Sequence, residues 1–323
     1  MPRWSLCFVD ACTFDRQDIE LSKFKERWAC TFHELTHPAE LAQRITGFDV
    51  IVTNKVLLDG ATLKSDAAKA LKLIAVAAAG TNNIDLPTAR ERNIPVCNAA
   101  GYSGPGVAQH TFALILELAS HAGGYSRDVK TGAWEKSPIF TLLSRPVMEL
   151  RGKTLGLIGS GDIGSSVAKI AEGFGMKVIF AARRGAEPAS GRVALDDLLK
   201  LSDVVSLHCP LTPETKDLIG PREFGLMKPS AFLINTARGG IVNELALIEA
   251  LTLKRIAGAG FDVLTQEPPK PDHPLLTAAK TLDTLVLTPH SAWTAKECRI
   301  RLLDEVYKNI VAFEDGGERN RIK

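Results

Sequence analysis

The sequence predicts an α/β protein built from two doubly wound parallel sheets. Two observations carry that prediction: short apolar runs recur between stretches of helical period along the 323-residue chain, and near its middle one such run leads into a glycine-rich turn. The first set of runs lies at residues 4–9, 50–53, 73–77 and 95–98. Glycine and proline crowd residues 101–106, which reads as a hinge before a long apolar helix over 107–125. Residues 131–150, with Trp134, Phe140 and prolines, show neither strand nor helix period and suit an arm that packs on another subunit. A second set of runs follows at 154–158, 178–181, 204–208, 231–235, 257–261 and 285–288. A crossover is expected at 289–293, after which a helix over 295–313 returns to the first domain. The expected division is residues 1–101 with 293–323 in one domain and 102–292 in the other.

The turn itself is Gly159-Ser160-Gly161-Asp162-Ile163-Gly164, with a strand before it and a helical run over 165–174 behind it. In this setting the first glycine permits the turn, the second lets backbone approach a pyrophosphate, and the third lets helix and strand pack closely. The phosphates of a dinucleotide would then lie at the positive helix N-terminus. The acid that usually ends the next strand and holds the adenosine ribose hydroxyls is missing, because no Asp or Glu stands between Gly173 and Ala186. Ala182-Arg183-Arg184 occupies that place. A carboxylate would repel a 2′-phosphate, whereas two guanidiniums offer forked, charge-assisted donors to it. NADP(H) is therefore favoured, with NAD(H) left open.

Composition sets the outer limits. The net charge of +2 comes from interspersed charges of both signs without basic blocks, which argues against nucleic acid as a partner. Cys7, Cys12, Cys30, Cys97, Cys209 and Cys298 are scattered with no C-x-x-C, against a metal site or disulfide framework and in favour of reduced thiols. The chain's start lacks a signal-peptide pattern and no apolar stretch is long enough to span a bilayer, so a cytoplasmic protein is expected.

Three further segments resemble the D-2-hydroxyacid dehydrogenase family, and the resemblance runs over nearly the whole chain. They are Asn235-Thr-Ala-Arg-Gly-Gly240, Gly260-Phe-Asp-Val-Leu-Thr-Gln-Glu-Pro268 and Thr288-Pro-His-Ser-Ala-Trp293. Supporting matches are Ala79-Gly-Thr-Asn-Asn-Ile-Asp85, residues 202–210 and residues 98–109. The resemblance implies a flavodoxin-like substrate domain, a Rossmann nucleotide-binding domain and a homodimer. It also implies an active site of Arg238, Glu267 and His290. Each suits the chemistry of reducing a 2-keto acid: Arg238 a bidentate cation for carboxylate and carbonyl oxygen, His290 the proton donor, and Glu267 the partner of the other ring nitrogen that favours the charged imidazole.

By the same resemblance, backbone N–H groups of Ala79 and Gly80 serve the substrate carboxylate, and Trp293 beside His290 would narrow the pocket; Asn54 and Lys55, from their place after the strand at 50–53, are further candidates for substrate contact. On the cofactor side the expectation is Gly159, Gly161, Asp162, Ile163 and Gly164 at the pyrophosphate, Arg183 and Arg184 at the 2′-phosphate, and His208 and Pro210 where the cofactor passes. Thr236, Ala237, Arg238, Asp262 and His290 would lie along the nicotinamide half. The remaining histidines, among them His110, are expected to be structural or exposed. Gly132-Ala-Trp134 and Pro289-His-Ser-Ala-Trp-Thr-Ala-Lys-Glu297 look like the glycerate dehydrogenase (hydroxypyruvate and glyoxylate reductase) branch. Reduction of phenylpyruvate, branched-chain 2-keto acids or 2-ketogluconate shares the chemistry, and a dinucleotide-sensing scaffold is the alternative from another class. Substrate contacts from both domains imply closure around the ligand.

Overall fold

In the computed structural model, which describes residues 3–183 and 191–322, the chain divides into two units, Met1–Ser103 with Trp293–Lys323 and Gly104–Ala292. The first unit has strands β1 (Ser5–Phe8), β2 (Ala29–Phe32), β3 (Val50–Thr53), β4 (Leu73–Val76) and β5 (Val96–Asn98), with helices α1 (Ser22–Arg27), α2 (Pro38–Ile45), α3 (Gly60–Lys64) and α4 (Leu86–Glu91). All strand pairs are parallel, in the order β2-β1-β3-β4-β5, the flavodoxin-like arrangement. The central strands are continuous apolar runs because helices cover both faces of a parallel sheet.

The second unit opens with α5 (Gly104–Ser120) and α6 (Ala122–Lys130), and then alternates β6 (Thr154–Ile158), α7 (Asp162–Gly173), β7 (Lys177–Ala181), β8 (Arg192–Val193), α8 (Leu195–Leu201) and β9 (Val204–Leu207). It continues through α9 (Pro221–Phe224), β10 (Phe232–Asn235), α10 (Glu244–Thr252), β11 (Gly258–Phe261), α11 (Pro274–Ala279) and β12 (Leu285–Leu287). The parallel sheet runs β12-β11-β10-β9-β6-β7-β8. Strand order reverses between β6 and β9, the switch point where ligands bind in this class of sheet. The last helix, α12 (Lys296–Glu314), belongs to the first unit, where Leu302, Val306 and Ile310 share a core with Leu6, Phe8 and Val50.

Several expected elements shift. The helix expected over 107–125 is two helices: α5 starts earlier, and His121 in a left-handed conformation (φ 51°) ends it before α6. Gly123 and Gly124 weaken a continuous helix there, and the Glu117 carboxylate accepts from the Gly123 N–H at 3.0 Å. The hinge expected at 101–106 is shorter, since Gly104 to Gly106 form the first turn of α5, where proline's fixed φ suits a helix start. Strands β2 and β8 were not anticipated. Residues 131–153 contain no helix or strand, as the missing period predicts.

Candidate active site

The glycine turn joins β6 to α7 with crowding on one side and space on the other. Gly159 has φ 110°, a conformation closed to other residues, and a side chain there would collide with the backbone of His208. A Cβ on Gly164 would strike the carbonyl oxygen of Gly159, so α7 leaves the strand at minimum distance. At Gly161, by contrast, a Cβ would meet nothing within 4 Å, and no side chain caps the helix. The first-turn N–H groups of α7 are thus left for an anion, and the turn fits the pyrophosphate of a dinucleotide. Ile163 packs inward against the core, and the Asp162 carboxylate lies against Gly104. Arg183 is exposed at the end of β7, while Arg184 lies outside the described residues.

Register places the three candidate catalytic loops together. Asn235 of β10 pairs with Phe261 of β11, and Phe261 with Leu287 of β12. The loops bearing Arg238, Glu267 and His290 therefore leave one carboxyl edge, with the outer two strands roughly 10 Å apart. His290 Nδ1 lies 2.6 Å from Glu267 Oε2. A carboxylate only accepts, so the Nδ1 proton is fixed and Nε2 is the nitrogen left for chemistry. Glu267 is itself oriented by the Leu264 N–H, 2.8 Å from Oε1. Arg238 is half-buried, its Nη1 donates to the Ala237 carbonyl at 2.7 Å, and no carboxylate pairs with it among the described residues. A cation held this way is poised for an anionic ligand.

Buried polar groups set these loops. Asn235, fully buried, accepts from the Ala237 N–H at 3.1 Å and donates to the Arg238 carbonyl at 2.9 Å, curling the chain so that the guanidinium projects from the strand end. Asp262, 1 % exposed, accepts from the Thr288 hydroxyl at 2.6 Å and the Ser291 and Ala292 N–H groups at 2.9 Å each. His110 Nε2 sits 2.9 Å from Thr288 Oγ1 and 3.4 Å from Asp262 Oδ1. Burial raises the Asp262 carboxyl, but the bonds from His110, Thr288, Ala292 and Ser291 outweigh it and hold the group below its ordinary value. One residue further along α5, Thr111 meets the buried Thr236 hydroxyl at 2.9 Å. One turn of α5 thus braces both the Arg238 loop and the His290 loop.

These contacts show what several of the candidate side chains touch. The Asp262 carboxylate, expected near the nicotinamide, is buried and holds the turn that carries His290, and the Thr236 hydroxyl meets that of Thr111. His208, expected at the cofactor, bonds its Nε2 to Ser206 Oγ at 2.9 Å, and burial pulls its pKa down to about 4, so the ring is neutral. Only Pro210 of that pair is exposed. His110, expected to be structural or exposed, is structural: it braces the loop of His290 through Thr288. Its partners stand more than 150 residues away, so no local pattern could disclose it.

In the first unit, Asn54 is 2 % exposed and its amide donates to Thr13 Oγ1 at 3.1 Å, bracing the loop after β3. Asp10, missed in the sequence, gathers the N–H groups of Asn54, Lys55 and Val56 with both carboxylate oxygens. Burial pushes its carboxyl above the ordinary value despite those bonds. Lys55 and Ala79 are exposed and Gly80 is half-buried, in the loops after β3 and β4. Asn98 steadies the second loop by donating to the Ala79 carbonyl at 2.6 Å. Trp293 packs edge-on against Tyr102, with ring centroids 6.4 Å apart. No cluster of His, Cys, Asp or Glu among the described residues could hold a metal.

Comparison with known proteins agrees with this geometry. Residues 112–292 match the D-isomer specific 2-hydroxyacid dehydrogenase NAD binding domain. The chain is 42 % identical over 286 residues to the glycerate dehydrogenase of Methylorubrum extorquens, covering 88 % of this chain and 89 % of that protein. It is 38 % identical over 304 residues to the hydroxypyruvate reductase of Thermotoga maritima, covering 92 % and 95 %. An acyclic imino acid reductase solved in complex with NADPH and D-Arg superposes with a TM-score of 0.84 at 29 % identity, over 99 % of this chain and 100 % of that one. With a dinucleotide turn at the switch point and this agreement along its length, the chain belongs to the D-isomer specific 2-hydroxyacid dehydrogenase family and is a nicotinamide-dinucleotide-dependent oxidoreductase.

Proposed function

We propose that the enzyme reduces a short 2-keto acid, hydroxypyruvate or glyoxylate, to the D-2-hydroxy acid with NADPH. The observation that carries the proposal is the His290–Glu267 pair at 2.6 Å on the same sheet edge as an arginine that no acid among the described residues neutralises. Arg238 binds the substrate carboxylate and carbonyl oxygen. The bound nicotinamide supplies the hydride that reaches the carbonyl carbon. His290 gives the Nε2 proton to the carbonyl oxygen as its charge develops, and Glu267, on Nδ1, orients the ring and balances its positive charge before that transfer. In oxidation the neutral imidazole takes the proton back. Asp262 acts on this chemistry through the turn it holds.

The choice among 2-keto acids rests on the relatives named glycerate dehydrogenase and hydroxypyruvate reductase, whose similarity spans most of the chain. The choice of NADPH rests on Arg183 and Arg184 where an acid is otherwise needed. Steady-state rates with hydroxypyruvate and glyoxylate, using NADPH and NADH, test both, on the wild type and on an Arg183→Ala, Arg184→Ala variant. Higher kcat/KM with NADPH, lost in the variant, is the expected result. A wild-type preference for NADH would overturn the cofactor reading and leave the reaction class intact.

We also propose a homodimer joined through residues 131–150. Phe140 is 90 % and Leu143 81 % exposed, with Trp134, Ile139 and Val147 beside them in sequence, an apolar surface that water disfavours. Arg145 fixes the base of this segment through Asp128 at 3.2 Å and Asp283 at 3.0 Å. The six cysteines are free, which suits a reducing cytoplasm. Among the described residues no helix is long and apolar enough to cross a membrane.

A further inference from the structure

We propose that Arg192, on the short edge strand β8, is a further specificity-determining residue for the cofactor, receiving the 2′-phosphate of NADP(H) between the glycine turn and the end of β7. The proposal rests on the NADPH reading above and adds to it a residue outside the Arg183-Arg184 pair. By register Arg192 stands opposite Phe180, and its guanidinium lies 6.0 Å from the centre of the Phe180 ring. Nη1 donates to the Ala181 carbonyl at 2.9 Å, and Nη2 donates to Ser160 Oγ at 2.6 Å. The guanidinium therefore bridges the second residue of the glycine turn and the last residue of β7. Those are the two places between which this fold seats the adenosine ribose.

Charge and donor count favour an anion there. Two N–H groups are used on neutral acceptors, and an arginine has five, so three remain for phosphate oxygens. No carboxylate pairs with Arg192 among the described residues, whereas Arg183 faces Glu214, whose carboxyl it helps hold below the ordinary value after the bond from Thr212 and a backbone bond. A 2′-phosphate arriving at Arg192 meets a cation that no carboxylate among the described residues neutralises. Ser160 is exposed and adds a hydroxyl beside the guanidinium. An arginine that only fastened an edge strand would need the Ala181 carbonyl and not the hydroxyl of the turn.

The test measures binding of adenosine 2′,5′-bisphosphate and of 5′-AMP by calorimetry on the intact wild type, Arg192→Gln, Arg192→Lys and Arg183→Gln. The bisphosphate is expected to bind the wild type more tightly than 5′-AMP. Arg192→Gln should weaken the bisphosphate about tenfold while 5′-AMP stays within about twofold, as expected for one charged hydrogen-bond set. Arg192→Lys, which keeps the charge without the fork, should fall between the two and serves if the glutamine variant unfolds. Equal weakening of both ligands would reduce Arg192 to a structural fastener and overturn the proposal, as would an unchanged ratio in Arg192→Gln with a loss in Arg183→Gln. A wild type indifferent to the 2′-phosphate would overturn the NADPH reading as well.

Discussion

The proton-donor role proposed for His290 needs two neighbours, one on each ring nitrogen, and Glu267 on Nδ1 is the one that the protein supplies. Replacing it with alanine removes the proposed proton donor but none of the glycine turn. His290→Ala should lower kcat about 10²- to 10⁴-fold with dinucleotide affinity kept, read by steady-state kinetics and a fluorescence titration with the cofactor. A loss of cofactor binding of the same size would contradict the assignment. His208 gives a pH-dependent prediction. Its folded pKa of about 4 lies below the ordinary 6.5, so the unfolded chain binds more protons in that window. Stability contributed by the neutral ring is complete above pH 6.5 and is lost as pH falls toward 4. Urea midpoints of the wild type should drop across that range more steeply than those of His208→Gln, and parallel curves would refute the burial argument. At this scale the residue types Arg238, Glu267 and His290 were legible as candidates because local motifs frame them. The tasks of Asp262, Asn235 and Asp10 were not, since each depends on which distant N–H groups the fold delivers to it.

Helix α5 illustrates what an element contributes. Its apolar face packs through Phe112, Ile115 and Leu118, while His110 and Thr111 reach the loops beyond β10 and β12. Because the Thr111 hydroxyl donates to the Val107 carbonyl at 2.8 Å, it is Thr236 that donates to Thr111. Thr111→Val keeps the shape and orphans the Thr236 hydroxyl in a dry site, which should cost about 1–3 kcal/mol in urea unfolding. His110→Ala should lower kcat more than it changes the KM for dinucleotide, since its partners Thr288 and Asp262 shape the His290 turn and not the glycine turn. Apolar runs identified most of the strands correctly. They failed at β2, a half-exposed edge strand whose Ala-Cys-Thr-Phe lacks a continuous apolar run, and at β8, which is two residues long. The single helix expected over 107–125 failed for a reason no apolar count carries, the left-handed turn at His121.

The proposed homodimer rests on the apolar surface of residues 131–150. Introducing Phe140→Asp and Leu143→Asp should convert a dimer into a monomer in sedimentation at micromolar concentration, with the far-ultraviolet dichroism unchanged because neither side chain is packed within its own chain. A wild type that sediments as a monomer would exclude the dimer. At this scale the two parallel sheets were readable from the rhythm of apolar runs, and the strand orders observed are those that short right-handed crossovers allow.

The first unit takes its core from both ends of the chain, and that has a consequence while the protein is being made. Leu6, Phe8 and Phe24 emerge early, but Leu302, Val306 and Ile310, which cover them, are synthesised only after the entire second unit. At about 5–20 residues per second the interval is on the order of 10–40 s, during which that face of the first sheet is covered only by the short α1, through Phe24. The second unit is continuous in sequence and can close first. A nascent chain stalled before α12 should therefore yield a protease-resistant Gly104–Ala292 fragment beside a digestible N-terminal segment, and during that interval it is the N-terminal segment that needs shielding from aggregation.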